Sequence, residues 1–162
     1  MNKIILTSGD KIFYFDKKIL SSISDFVKSF EEVDNEITTI PINNFNFSFN
    51  EIKIIQDYVV YLSNSKEYDY SKKSDTVEYY INEFNNYEKN VNIKIARDFI
   101  MKLNYPQTDK VYNLSKYMNI KFLTEELFKF NIKKIIEIHV NEIDELKSIK
   151  NIVKINFDNT NE

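Results

Sequence analysis

Gly9 is the one glycine among 162 residues, and it sits in "TSGDK" between two short β-prone runs. A tight hairpin needs a residue that takes positive φ freely, and this chain offers a glycine for it at that position alone. The sequence therefore predicts an opening hairpin over "KIILTSGDKIFYFD". Ile4 and Leu6 alternate on its first strand and Phe13 and Phe15 on its second, so one face of the ribbon is built to be covered. The same scarcity removes Walker and dinucleotide-binding loops, which need several glycines to bring backbone close to phosphate.

Beyond the hairpin, Asp16 is placed to cap a helix over "KKILSSISDFVKSFEEV", where Ile19, Leu20, Ile23, Val27 and Phe30 recur at three- and four-residue spacing. "EITTIPI" reads as a short strand, with Pro41 tolerable at an edge or a strand end. "SFNEIKIIQDYVVYL" opens on Ser48 three residues before Glu51, a capping-box spacing, and puts Ile52, Ile55, Val59 and Leu62 on one face. Residues 63–93 form a long, polar, tyrosine-rich excursion, whose later part carries Val77, Tyr80, Ile81, Phe84 and Tyr87 at helical spacing. From Ile95 onward the pattern is helical. Ala96, Phe99 and Leu103 fall in line, Pro106 breaks the segment, and Thr108 is the expected cap of a helix with Val111, Leu114 and Met118 as its stripe and Tyr117 beside it.

The class is α+β: a small sheet covered by helices, followed by a helical extension. The stretch "SKYMNIKFLTEELFKFNIKKI" holds more apolar surface than one buried face requires. Leu123, Leu127 and Phe130 make one helical stripe, and Phe128, Ile132 and Ile135 make a second. A small domain covers one of them; the excursion, the terminal segment or another protein covers the other. "VNEIDELKSIKNI" then supplies Asn141 as the cap of a further helix, with Ile143, Leu146 and Ile149 as a narrow apolar edge.

Hydrophobic residues at 43%, balanced by 29% charged, describe a chain that folds, and a net charge of -3 gives no electrostatic footprint for nucleic acid. Cysteine is absent, which excludes disulfides, thiolate metal sites and a cysteine nucleophile. No run approaches the roughly 18 apolar residues of a membrane span, and no signal-peptide core follows Met1. The expectation is an intracellular protein. The lone His139 lies among apolar residues in "IIEIHVNEI" and reads as a structural histidine, while Glu125-Glu126 and Asp144-Glu145 read as solvation of helix faces. No nucleophile, base and orienting group stand out together, so neither an enzyme nor a cofactor, metal or small-molecule substrate is expected. A carboxylate hydrolase would need two acids whose pKa values are driven apart in a concave site.

The order strand, glycine turn, strand, helix, strand, helix, then further helices resembles the BTB/POZ fold. Within it, "TSGDKIFYFD" looks like the opening hairpin of the S-phase kinase-associated protein one family, the adaptor subunit of SCF ubiquitin ligases. "TTIPINNF" is similar to that family's apolar-Pro strand followed by Asn, and "RDFI" at 97–100 to its acidic-Phe-Leu segment without the preceding Trp-Asp. "SKYMNIKFLTEELFKFNIKKI" resembles its Ala-Asn-Tyr-Leu-Asp-Ile-Lys-Gly-Leu-Leu stretch and the helix after it, with Tyr117, Ile120, Lys121 and Leu123 matching in place. "NEIDELKSI" looks like its Thr-Pro-Glu-Glu-Ile-Arg helix. Elongin C shares the fold but stops near the equivalent of residue 135, so the segment beyond favours the SCF-type adaptor.

The resemblance implies a BTB/POZ-like domain over residues 1–135, containing the 63–93 excursion, and an F-box-docking extension over 136–162. It implies a non-catalytic adaptor, cytoplasmic or nuclear (in the host cell if the chain is viral), that links a cullin to an F-box substrate receptor. Lys116 and Tyr117 would face the cullin, with lysine standing where the family has asparagine. Phe128, Ile132, Ile135, Ile143, Leu146 and Ile149 would form the F-box surface. The alternative is a BTB/POZ module that self-associates or holds another protein without a cullin.

Overall fold

The computed structural model describes residues 2–42, 47–70 and 90–160, with 155–160 as backbone alone. It is α+β and mostly helical, and it divides into two compact units, Met1–Phe128 and Lys129–Glu162.

In the first unit, β1 (Lys3–Ser8) and β2 (Lys11–Asp16) form the expected antiparallel hairpin. Ser8 pairs with Lys11, which leaves Gly9 and Asp10 as a two-residue loop, and Gly9 has φ +61° at its first position. That is the place where a type II′ turn puts glycine. The register sets Ile4 opposite Phe15 and Leu6 opposite Phe13, and all four are buried. β3 (Thr39–Pro41) lies parallel to β1 on its other side, giving the order β2-β1-β3 and setting Ile40 beside Leu6. Pro41 closes an edge strand, where its missing N–H costs the ladder nothing.

Asp16 caps α1 (Lys17–Ile23) by accepting from the Ile19 N–H at 3.0 Å. The single helix expected over residues 17–33 is two helices, because the chain breaks at Ser24 before α2 (Asp25–Val33). The N–H groups of Asp25 and Phe26 and the carbonyl of Ile23 are spent on a distant segment. Ser24 bridges Ile120, the Asp25 and Phe26 N–H groups reach the Asn119 and Met118 carbonyls, and Lys121 N–H donates to the Ile23 carbonyl at 2.8 Å. The buried Ser24 hydroxyl donates to the Met118 carbonyl at 2.7 Å and accepts from the Val27 N–H at 3.2 Å. It thus fastens the cross-link and caps α2 at once.

α3 (Phe49–Asn64) begins with the Ser48/Glu51 capping box, the Glu51 carboxylate accepting from the Ser48 N–H and hydroxyl. Replacing Ser48 by alanine should lower stability by about 1 kcal/mol; an unchanged urea midpoint would remove the box as a stabilising feature. Ile52, Ile55, Val59 and Leu62 are buried as expected, together with Tyr58, whose ring lies 5.0 Å from that of Phe99. Of the excursion, residues 65–70 follow α3, and the helical spacing over residues 77–87 lies outside the described residues.

α4 (Val91–Ile100) starts earlier than the Ile95 expected, because the buried Asn90 side chain accepts from the Asn92 and Ile93 N–H groups. α5 (Tyr105–Tyr117) is capped by Asn104 rather than Thr108. The Asn104 side chain and the Gln107 N–H, and the Gln107 side chain and the Asn104 N–H, form reciprocal bonds of 3.0 Å each. Pro106 stands inside the first turn, where its lacking N–H would have had no helical partner. Thr108 is buried on the helix and donates to the Tyr105 carbonyl. Val111, Leu114 and Met118 form the buried stripe.

α6 (Leu123–Thr160) follows, with Leu123 and Leu127 fully buried. The extension expected to begin a new helix at Asn141 instead continues α6. An N-cap acts only where the first N–H groups lack carbonyls. No glycine or proline interrupts residues 136–141, and side-chain pairs Lys134–Glu137 (3.1 Å) and His139–Glu142 (3.4 Å) span that stretch.

Candidate docking surfaces

In the first unit, Lys116 and Tyr117 occupy the last turn of α5. Lys116 is exposed, whereas Tyr117 is half-buried in an aromatic group: its ring lies 4.9 Å from Phe26 and 5.9 Å from Phe47, and Phe26 in turn lies 5.1 Å from Phe30. Ring contacts of this kind fix a side chain in place. The tyrosine is therefore held and the neighbouring ammonium is open to solvent. Just beyond, Asn119 donates to the Asp25 carboxylate at 2.8 Å and Lys121 pairs with it at 3.3 Å, so the turn after α5 is tied to α2.

Phe128, the last residue of this unit, is 48% exposed, with its ring 6.0 Å from that of Tyr112. In the turn before it, Glu126 departs from the expected role. Glu126 does not solvate the helix: it is buried, and its carboxylate meets the Arg97 guanidinium of α4 at 2.7 Å. The pairing belongs to the "RDFI" segment, and its two members lie 29 residues apart, beyond the reach of local spacing.

In the second unit, Ile132, Ile135, Ile143, Leu146 and Ile149 are all exposed, from 41% at Ile132 to 58% at Leu146. Sequence reasoning named these five and missed their neighbours Ile136, Ile138, Val140, Ile152 and Val153, which are exposed as well. The missed signal was continuity. With a break assumed at Asn141, residues 136–140 looked like a junction, whereas one helix carries a single apolar row from Ile132 to Ile149. His139 lies within that row. It is not a core histidine; its side chain is 68% exposed and its Nδ1 lies 3.4 Å from the Glu142 carboxylate.

Tyr58 and Tyr68, among the described residues, have displaced titration. Burial pushes both hydroxyls above the usual tyrosine range, Tyr58 strongly and Tyr68 with partial relief from its hydrogen bond with Ser22. Both belong to the packing of the first unit. Among the described residues, no group of three or more His, Cys, Asp or Glu is placed to hold a metal, and no helix is long and apolar enough to cross a membrane. Compared with models of known protein families and with curated protein sequences, the chain matches none.

Proposed function

We propose that the chain is a non-catalytic adaptor resembling the SCF ubiquitin-ligase subunit, built on a BTB/POZ-type domain, that joins an F-box substrate receptor to a cullin. The observation that carries this reading is the exposed apolar row Ile132, Ile135, Ile143, Leu146 and Ile149 of the second unit; Phe128 of the first unit is assigned to the same role because it is exposed as well. An exposed apolar row of that kind suits protein docking, and in this reading the helices of an F-box would lie on it. The order β1, β2, α1, α2, β3, α3, with β3 parallel to β1, supports the BTB/POZ assignment. Lys116 and Tyr117 form the cullin contact in this reading, with the held tyrosine as anchor. The chain would then act in ubiquitination in the cytoplasm or nucleus, with no cofactor and no small-molecule substrate.

The test mixes the purified chain with an F-box protein, and separately with a cullin N-terminal domain, and measures mass by size-exclusion chromatography with light scattering. The adaptor reading expects an equimolar complex in each mixture. Binding of the F-box protein alone would assign the loss to Lys116, and Lys116→Asn should then restore the cullin complex. Binding of neither overturns the proposal.

A further inference from the structure

The apolar row of the second unit has a spacing and a symmetry that fit another copy of the same helix. Ile132, Ile135, His139, Glu142, Leu146 and Ile149 follow one another at alternating three- and four-residue steps. Alternation of three and four is the seven-residue repeat, about 3.5 residues per turn, that keeps one seam facing a partner helix over many turns. The row also reads the same from both ends: two apolar residues, a histidine–glutamate pair, two apolar residues. In a parallel pair, His139 would face His139 and Glu142 would face Glu142, which sets like groups together in the middle of the seam. In an antiparallel pair, His139 faces Glu142 twice, Ile135 faces Leu146 twice, and Ile132 faces Ile149 twice. Ile136 and Ile143, both more than half exposed, border the same seam and widen its apolar face. The 3.4 Å contact of His139 with Glu142 in one chain already brings the two groups side by side at the centre.

We propose that the free chain forms an antiparallel homodimer through this seam, with the two His139–Glu142 pairs crossing at its midpoint. Polar groups at single seam positions are the device by which paired helices select orientation and register. The pairing does not depend on the adaptor reading. If both hold, a receptor and a second copy compete for Ile135 and Leu146, so self-pairing keeps the docking surface covered until a receptor displaces it.

Sedimentation equilibrium of the full chain should give twice the monomer mass of 19.4 kDa at micromolar concentrations. Glu142→Lys, which sets lysine opposite histidine, should weaken association about tenfold or more, whereas the exchange His139→Glu with Glu142→His should leave it unchanged. The absence of cysteine allows orientation to be read directly. Chains carrying Ile135→Cys and Leu146→Cys, mixed and oxidised, should give the mixed disulfide. All the altered positions are exposed on the helix, and far-UV circular dichroism would verify that it is intact. A monomer at every concentration, Glu142→Lys dimers of unchanged affinity, or disulfides only between like chains would each overturn the pairing. A monomer that still binds an F-box protein one to one would overturn the pairing and leave the adaptor reading intact; a dimer that no F-box protein dissociates or binds would do the reverse.

Discussion

Phe128→Ala is expected to weaken F-box binding by about 2 kcal/mol or more, roughly thirtyfold in affinity, while thermal stability changes little. The asymmetry follows from where the ring sits. Phe128 is 48% exposed in the free chain and makes a ring contact with Tyr112 at 6.0 Å, so its removal opens no sealed cavity. In a complex the same ring would be desolvated against the receptor, and buried aromatic anchors dominate such interfaces. Isothermal titration with an F-box protein and a urea melt of the variant measure the two quantities. Equal losses in both would make Phe128 an ordinary packing residue and remove it from the docking surface.

The hairpin was legible because it rests on local chemistry alone. One glycine defines the turn, and period-two alternation on either side defines which of Ile4, Leu6, Phe13 and Phe15 share a face. The Asp16 and Ser48 caps were legible for the same reason, since each cap satisfies N–H groups within three residues of itself. The helix break at Ser24 was not. Its cause is the segment at residues 118–121, nearly a hundred residues away, which takes the backbone groups a continuous helix would have used. Nothing in "SSISDF" announces that partner.

The proposed docking residues divide along the same line. Phe128, Ile132 and Ile135 could be read as a surplus stripe from periodicity, and each of the three is exposed. Their continuation through His139 could not, because asparagine at 141 resembles a cap whenever the carbonyls before it are assumed absent. Thr108 misled in the opposite sense: a good cap residue follows Pro106, but Asn104 and Gln107 had already closed the helix end between them. Glu126 adds a third kind of failure. Its burial depends on Arg97, and a charge placed by a tertiary partner carries no local signature.

Leu6→Ala should damage the core more than any surface change on the same sheet, lowering stability by about 3 kcal/mol within the range of large-to-alanine changes. Leu6 lies on the central strand, opposite Phe13 on one neighbour and beside Ile40 on the other, and all three are sealed from solvent. Truncating it therefore leaves a cavity bordered by side chains that the hydrogen-bonded sheet prevents from closing in. Ile12, on the adjoining strand and the opposite face, is 57% exposed, and its change to alanine should stay within about 0.5 kcal/mol. The pair measures register as well as packing, since a one-residue slip of β1 against β2 would turn Leu6 outward. In urea, Leu6→Ala should lower the midpoint with an unchanged slope, and Ile12→Ala should move neither. Similar losses from both would mean that the sheet has no single buried face, and the hairpin could not then be the platform on which α1 and α3 pack.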